Sequence, residues 1–222
     1  MGGRIVVPFS GQQDAVDLAV CCAETHPGSE VLLLFVRNIG IRASFEPPTE
    51  TARALADRYP CIRRLIVTDA QPFQACALVS LPPDLSRRLG TRSTCTACQA
   101  SLLLVARRVS RELDAALAFV TRESLGPDID KALRAILSGV THVEVWPLRP
   151  SALSVPLVAT QRCALASHRS VEPLDAADQA RLEQWAAELA EQVAPVGGTG
   201  LAASVPLEVV PLSRDGEHQN VA

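Results

Sequence analysis

Glu30 to Val36, EVLLLFV, is a nearly continuous apolar run. A strand with one face in water alternates apolar and polar residues. An unbroken run has no solvent side and calls for a sheet covered by helices on both faces. Shorter apolar segments of the same kind recur at Ile5 to Val7, Arg64 to Thr68, Ala115 to Thr121 and Val143 to Trp146. Between them lie segments with apolar residues at helical spacing: Val16 to Ala23, Thr49 to Tyr59, Cys95 to Leu113 and Asp128 to Leu137. Strands alternate with helices from residue 4 to about 150. The expected class is α/β, with a parallel twisted sheet of about five strands, helices on both faces, and ligands at the carboxyl ends of the strands.

The remaining segments are less regular. Cys76 to Leu81 fits a short helix or a strand, stopped by Pro82-Pro83, and Arg87 to Thr94 reads as a mobile basic loop. Asp175 to Val193 is an amphipathic helix expected to pack back on the domain or on a second subunit, as in a homodimer. Pro195 to Gly200 reads as a hinge. Residues 1–194 are therefore expected to form one domain, and 195–222 a flexible tail containing a short strand, VPLEVVPL.

Composition narrows the function. The chain has 222 residues and a net charge of −3, with a pI near 5.8. No apolar run is long enough to span a bilayer, and the N-terminus lacks a basic region followed by an apolar stretch, so the chain is read as cytoplasmic, with no membrane partner. The acidic balance argues against a nucleic-acid face, although Arg87, Arg88 and Arg92 cluster, as do Arg107, Arg108 and Arg111. Lys131 is the only lysine, so a cation over a phosphate must be arginine or a metal. The seven cysteines, without a secretory signal, point to thiols, a metal or redox chemistry over a disulfide framework.

The first strand runs through Phe9-Ser10-Gly11-Gln12-Gln13-Asp14 into a helix. Such a turn presents unpaired N–H groups at a positive helix end, where a phosphate fits. The same residues also fit a plain strand–turn–helix with Asp14 as a cap. The turn resembles the Ser-Gly-Gly-x-Asp-Ser signature of the PP-loop ATP pyrophosphatases, a HUP/Rossmann-like family. Ser10, Gly11 and Asp14 match; Gln12 stands for the second Gly and Ala15 for the final Ser. Gln12 adds a Cβ where backbone should approach pyrophosphate, and Ala15 lacks the hydroxyl donor.

A second block, residues 94–126, is similar to the later half of the tRNA thiolation enzymes of that family. Thr121, Glu123, Ser124, Leu125 and Gly126 match a Thr-Gly-Glu-Ser-Leu-Gly loop of the 4-thiouridine synthetases, with Arg122 in place of Gly. Cys95 and Cys98 before the helix resemble the 2-thiocytidine type. A Cys-x-x-Cys at a helix start has its thiol pKa lowered by the dipole. It fits a metal or iron–sulfur ligand pair, a persulfide carrier, a reversible disulfide, or simply two thiols opening a helix. Cys163 is the obvious third ligand for an iron–sulfur cluster or Zn²⁺. Cys21, Cys22 and Cys61 read as core thiols.

The resemblance implies an ATP-dependent adenylating enzyme that activates a carbonyl or carboxyl oxygen for sulfur or nitrogen transfer. Ser10 and Gly11 would cradle pyrophosphate, Gln12 and Gln13 would join them in the ATP site, Asp14 would orient the turn or hold Mg²⁺, and Arg122 or Arg149 would supply a cation. Cys95 and Cys98 join Asp14 as expected catalytic residues. The expected substrate is a small or carrier-borne molecule over tRNA. Gln12 and Ala15 motivate an alternative: a degenerate member of the fold acting as a nucleotide-binding or scaffold partner.

Overall fold

The computed structural model describes residues 3–37, 46–119, 126–144, 150–158, 173–193 and 205–212. Five strands, β1 (Arg4–Pro8), β2 (Glu30–Arg37), β3 (Ile62–Asp69), β4 (Ala116–Phe119) and β5 (His142–Glu144), form a parallel sheet. A sixth, β6 (Glu208–Pro211), adds antiparallel to β3, giving the order β5-β4-β1-β2-β3-β6. It is the short strand expected in the tail segment.

Val31 to Val36 of β2 are all buried, as the apolar run requires. Its period of two divides the core. Val31, Leu33 and Phe35 join a cluster with α1 (Gln13–Thr25) and α2 (Thr49–Arg58). Leu32, Leu34 and Val36 join another with α3 (Gln71–Ser80), α4 (Pro83–Leu89), α5 (Ser93–Glu112), α6 (Pro127–Leu133) and α7 (Ala176–Gln192). Each strand face thus has its own helical layer.

One expected loop is a helix instead. Residues 87–94, expected to form a mobile basic loop, fall in α4, a 3-10 turn (Gly90–Arg92) and the start of α5. Leu85 and Leu89, four apart, are fully buried and hold α4 down. Pro83 opens that helix, because a proline at the first helical position loses no hydrogen bond. The Cys76 to Leu81 stretch resolves as helix, within α3 up to Ser80. The long helix α7 packs back on the domain through Leu182, Trp185, Ala186 and Leu189. Trp185 Nε1 donates to Ser80 Oγ at 3.0 Å. Among the described residues no helix is long and apolar enough to cross a membrane.

Candidate functional site

The strand order reverses between β1 and β4. The chain leaves β1 toward β2 on one side and returns to β4 on the other. The connecting helices lie on opposite faces, α1 with one core cluster and α5 with the other. In an open parallel sheet this leaves a crevice at the carboxyl ends of the two strands. The β1–α1 turn sits at its edge.

Phe9 anchors the turn: its side chain is buried, and its N–H donates to Leu34 O at 2.7 Å. Ser10 is exposed, and its Oγ accepts from Gln12 N at 3.3 Å. Gly11 is buried with φ +76, a conformation that favours glycine. There is no space for a side chain either. A Cβ on Gly11 would lie 2.5 Å from Pro48 Cβ and 2.7 Å from Val158 Cγ2. Gln12 is the N-cap, extended at φ −84 and ψ 164, and gives the helix no side-chain hydrogen bond. Asp14 lies in the first helical turn.

Ser10, Gly11, Gln12, Gln13 and Asp14 are thus together at the crevice. The Gln13 amide is turned away along α1, donating to Asp17 Oδ1 at 2.7 Å, so what Gln13 offers a ligand is its backbone N–H. Ala15 is 9% exposed and belongs to the α1-side apolar cluster.

A segment from after β5, residues 150–158, straps this turn from the α1–α2 side. Ser151 N and Oγ both donate to Asp17 Oδ1, at 2.8 and 2.7 Å. Leu153 and Val155 pack on the α1-side cluster. Thr51 Oγ1 of α2 donates to Pro156 O, and Val158 N donates to Gly11 O at 3.0 Å.

Thr68 and Asp69, at a strand's carboxyl end where ligands are expected, end β3, two strands from β1. Thr68 is buried and donates through Oγ1 to Pro206 O at 3.1 Å. Asp69 Oδ1 accepts at 2.7 Å from the N–H of Gln71, the first residue of α3.

Cys95 and Cys98 are the third and sixth residues of α5, three apart on one helical face and half-buried. The preceding 3-10 turn runs straight into α5, with Arg92 at its N-cap position already helical. Cys163 and Arg122 fall outside the described residues, as do Arg149 and Thr121 to Leu125. Among the described residues no three His, Cys, Asp or Glu side chains group to hold a metal. Cys22 lies in the core, where burial and the neighbouring Cys21 push its thiol up to about 12. Burial also raises the Cys61 thiol. Both therefore stay protonated near neutral pH, against the needs of a nucleophile.

Two residues near the crevice escaped the sequence reading. Arg92, placed there in a basic patch, is only 4% exposed. Its Nη1 lies 3.7 Å from where a Cβ on Gly126 would stand, at the end of the β4–α6 connection. The Leu85–Leu89 spacing was the available signal, since it predicts the helix that carries the chain inward. Asp17, 6% exposed, is the other. Its signal was a carboxylate set between Val16 and Leu18 on an otherwise apolar stretch.

No protein-family model matches the chain, and no curated protein matches it. Among solved structures the chain is similar to a 4-thiouridine synthetase determined as an RNA complex with bound ATP. The TM-score is 0.51 and the identity 13%, over 94% of this chain and 55% of that one. At that identity the likeness shows a shared fold: an α/β domain with a mostly parallel sheet flanked by helices, Rossmann-like. The chain spans about half the length of the synthetase it resembles.

Proposed function

We propose that the chain is an ATP-dependent adenylating enzyme of the PP-loop type. The observation that carries this reading is the β1–α1 turn at the sheet's reversal point. Its glycine is buried at a positive φ, and its cap residue makes no side-chain hydrogen bond to the helix. Such a helix start favours a phosphate. The fold shared with an ATP-bound synthetase supports ATP as the ligand.

In the proposed reaction a carbonyl or carboxyl oxygen of the substrate attacks the α-phosphorus. The α–β bridge breaks and pyrophosphate leaves. A sulfur or nitrogen nucleophile then forms its bond to carbon as the C–O bond to AMP breaks. Backbone N–H groups of Gln12 to Asp14 hold the leaving pyrophosphate and stabilise the charge that develops on it. The Asp14 carboxylate, a hard oxygen donor in the first turn, suits Mg²⁺, which would neutralise phosphate charge when bound. Cys95 and Cys98 offer two soft ligands on one helical face. With Cys163 they would hold Zn²⁺ or an iron–sulfur cluster, which would bind or activate the incoming sulfur. The net charge of −3 favours a small or carrier-borne substrate over tRNA.

Calorimetric titration with ATP and Mg²⁺, followed by a pyrophosphate-release assay over candidate carbonyl substrates, tests the reading. Asp14→Ala is expected to lower release about 100-fold. Absence of ATP binding with candidate substrates present would sink it.

A second reading, a nucleotide-binding or scaffold partner without turnover, is favoured by Ala15. Its methyl group lies in the apolar cluster at the position where the signature places a hydroxyl.

A further inference from the structure

We infer that Asp17 is a positioning residue for anion binding, acting through the 150–158 strap on the β1–α1 turn. The inference rests on the proposed nucleotide reading and extends it to a residue that touches no ligand.

The chain of contacts runs as follows. Asp17 is buried, and a buried carboxylate is costly unless its oxygens are hydrogen-bonded. Here Oδ1 accepts from Ser151 N, Ser151 Oγ and Gln13 Nε2, all between 2.7 and 2.8 Å. Hydrogen bonds to a charged acceptor are the strong kind. They fix the start of the strap on α1. Thr51 holds its middle through Pro156 O. Its far end is then set on the turn, with Val158 N donating to Gly11 O.

That last bond orients a whole peptide unit. Gly11 C=O and Gln12 N–H belong to one planar trans peptide, so they point in opposite directions. With the carbonyl held toward the strap, the Gln12 N–H faces away from it. Its partner there is Ser10 Oγ, at 3.3 Å on an exposed residue. A bond that long and that open is readily exchanged for a phosphate oxygen. The strap therefore pre-aims a donor that a phosphate would otherwise have to order. Pro48 and Val158 fill the space beside Gly11 where a Cβ would stand, on the α2 side of the turn.

The test uses the full chain and three probes: ATP, inorganic pyrophosphate and adenosine, each titrated calorimetrically into the unaltered protein, Asp17→Ala, Asp17→Asn and Ser151→Ala. Asp17→Ala is expected to weaken ATP and pyrophosphate about tenfold, the scale of one well-placed hydrogen bond, and to leave adenosine unchanged. Asp17→Asn keeps an acceptor and is expected to stay within about threefold of the unaltered chain. Ser151→Ala keeps the backbone bond and is expected to lie between, with faster hydrogen exchange at the Gln12 amide. It also serves if Asp17→Ala does not fold. A merely structural Asp17 would weaken all three probes by one factor, and that overturns the inference. So does anion affinity that is unchanged or raised in Asp17→Ala. If the unaltered chain binds adenosine alone, the inference fails while nucleoside binding stands. If it binds none of the three, the nucleotide reading falls as well.

Discussion

The carboxyl ends of β1 and β3 lie about 10 Å apart, two strand spacings across the same parallel sheet. Both lead directly into a helix, β1 through residues 9–12 and β3 through Ala70 alone, yet they are finished in different ways. At β3 the chain uses its polar groups on itself. Asp69 accepts from the first N–H of α3 at 2.7 Å, the buried Thr68 hydroxyl bonds to Pro206 O, and β6 lies alongside. At β1 the corresponding bond, from Gln12 N to the exposed Ser10 Oγ, is longer at 3.3 Å, and the turn is held from its α2 side by the strap. The topology explains the difference. The helices after β1 and before β4 leave on opposite faces, which opens a crevice only at the reversal. A polar residue at the end of a strand becomes a candidate site by where its strand sits in the sheet.

The largest test of that contrast is Gly11→Ala. It adds a Cβ at a positive φ, 2.5 Å from Pro48 Cβ and 2.7 Å from Val158 Cγ2. Left-handed strain and overpacking together are expected to cost about 3 kcal/mol of stability, read in a thermal or denaturant melt. ATP binding is expected to be lost with it, because the strap cannot seat on the turn. A full-stability Gly11→Ala protein would mean that Pro48 and Val158 do not clasp the turn.

Thr68→Val is the matching change at β3. It leaves Pro206 O without the hydroxyl and is expected to cost about 1 kcal/mol, with ATP affinity unchanged. If this substitution weakened ATP as much as changes at β1, the two ends would share one site and the contrast would break.

The same contrast marks what the sequence could and could not reveal. Glu30 to Val36 announces a strand covered on both faces, and the alternation around it announces a parallel sheet. These signals are local, carried by residues within one strand or one helical turn. The β1 turn was legible for the same reason, since its Ser, Gly and Asp are neighbours in the chain. Thr68 and Asp69 looked equivalent to it because residue type alone does not report strand order. The strap escaped because Ser151 meets Asp17 across 134 positions of sequence, and the alternating Leu153, Val155 and Leu157 of SALSVPLV mark an extended segment without marking where it docks. Arg92 was hidden by composition: among Arg87, Arg88 and Thr91 it reads as solvated, yet the buried leucines of α4 carry it inward.

The smallest expected effect separates the two functional readings. Gln12 sits at φ −84 and ψ 164, extended backbone that any residue adopts. The second glycine of the Ser-Gly-Gly-x-Asp-Ser signature that the turn resembles is therefore not demanded by this chain's dihedral angles, and the departure amounts to one added side chain. Glycine is also accepted at an N-cap, so Gln12→Gly is expected to cost only about 0.5 kcal/mol in a melt. If the turn already presents its N–H groups, as in the adenylating reading, ATP affinity changes by less than about threefold. Adding Ala15→Ser restores a hydroxyl, but into a largely apolar setting. The pair is the sharper probe. An unaltered chain that binds no ATP, with affinity appearing in the double variant, assigns the protein to the partner reading.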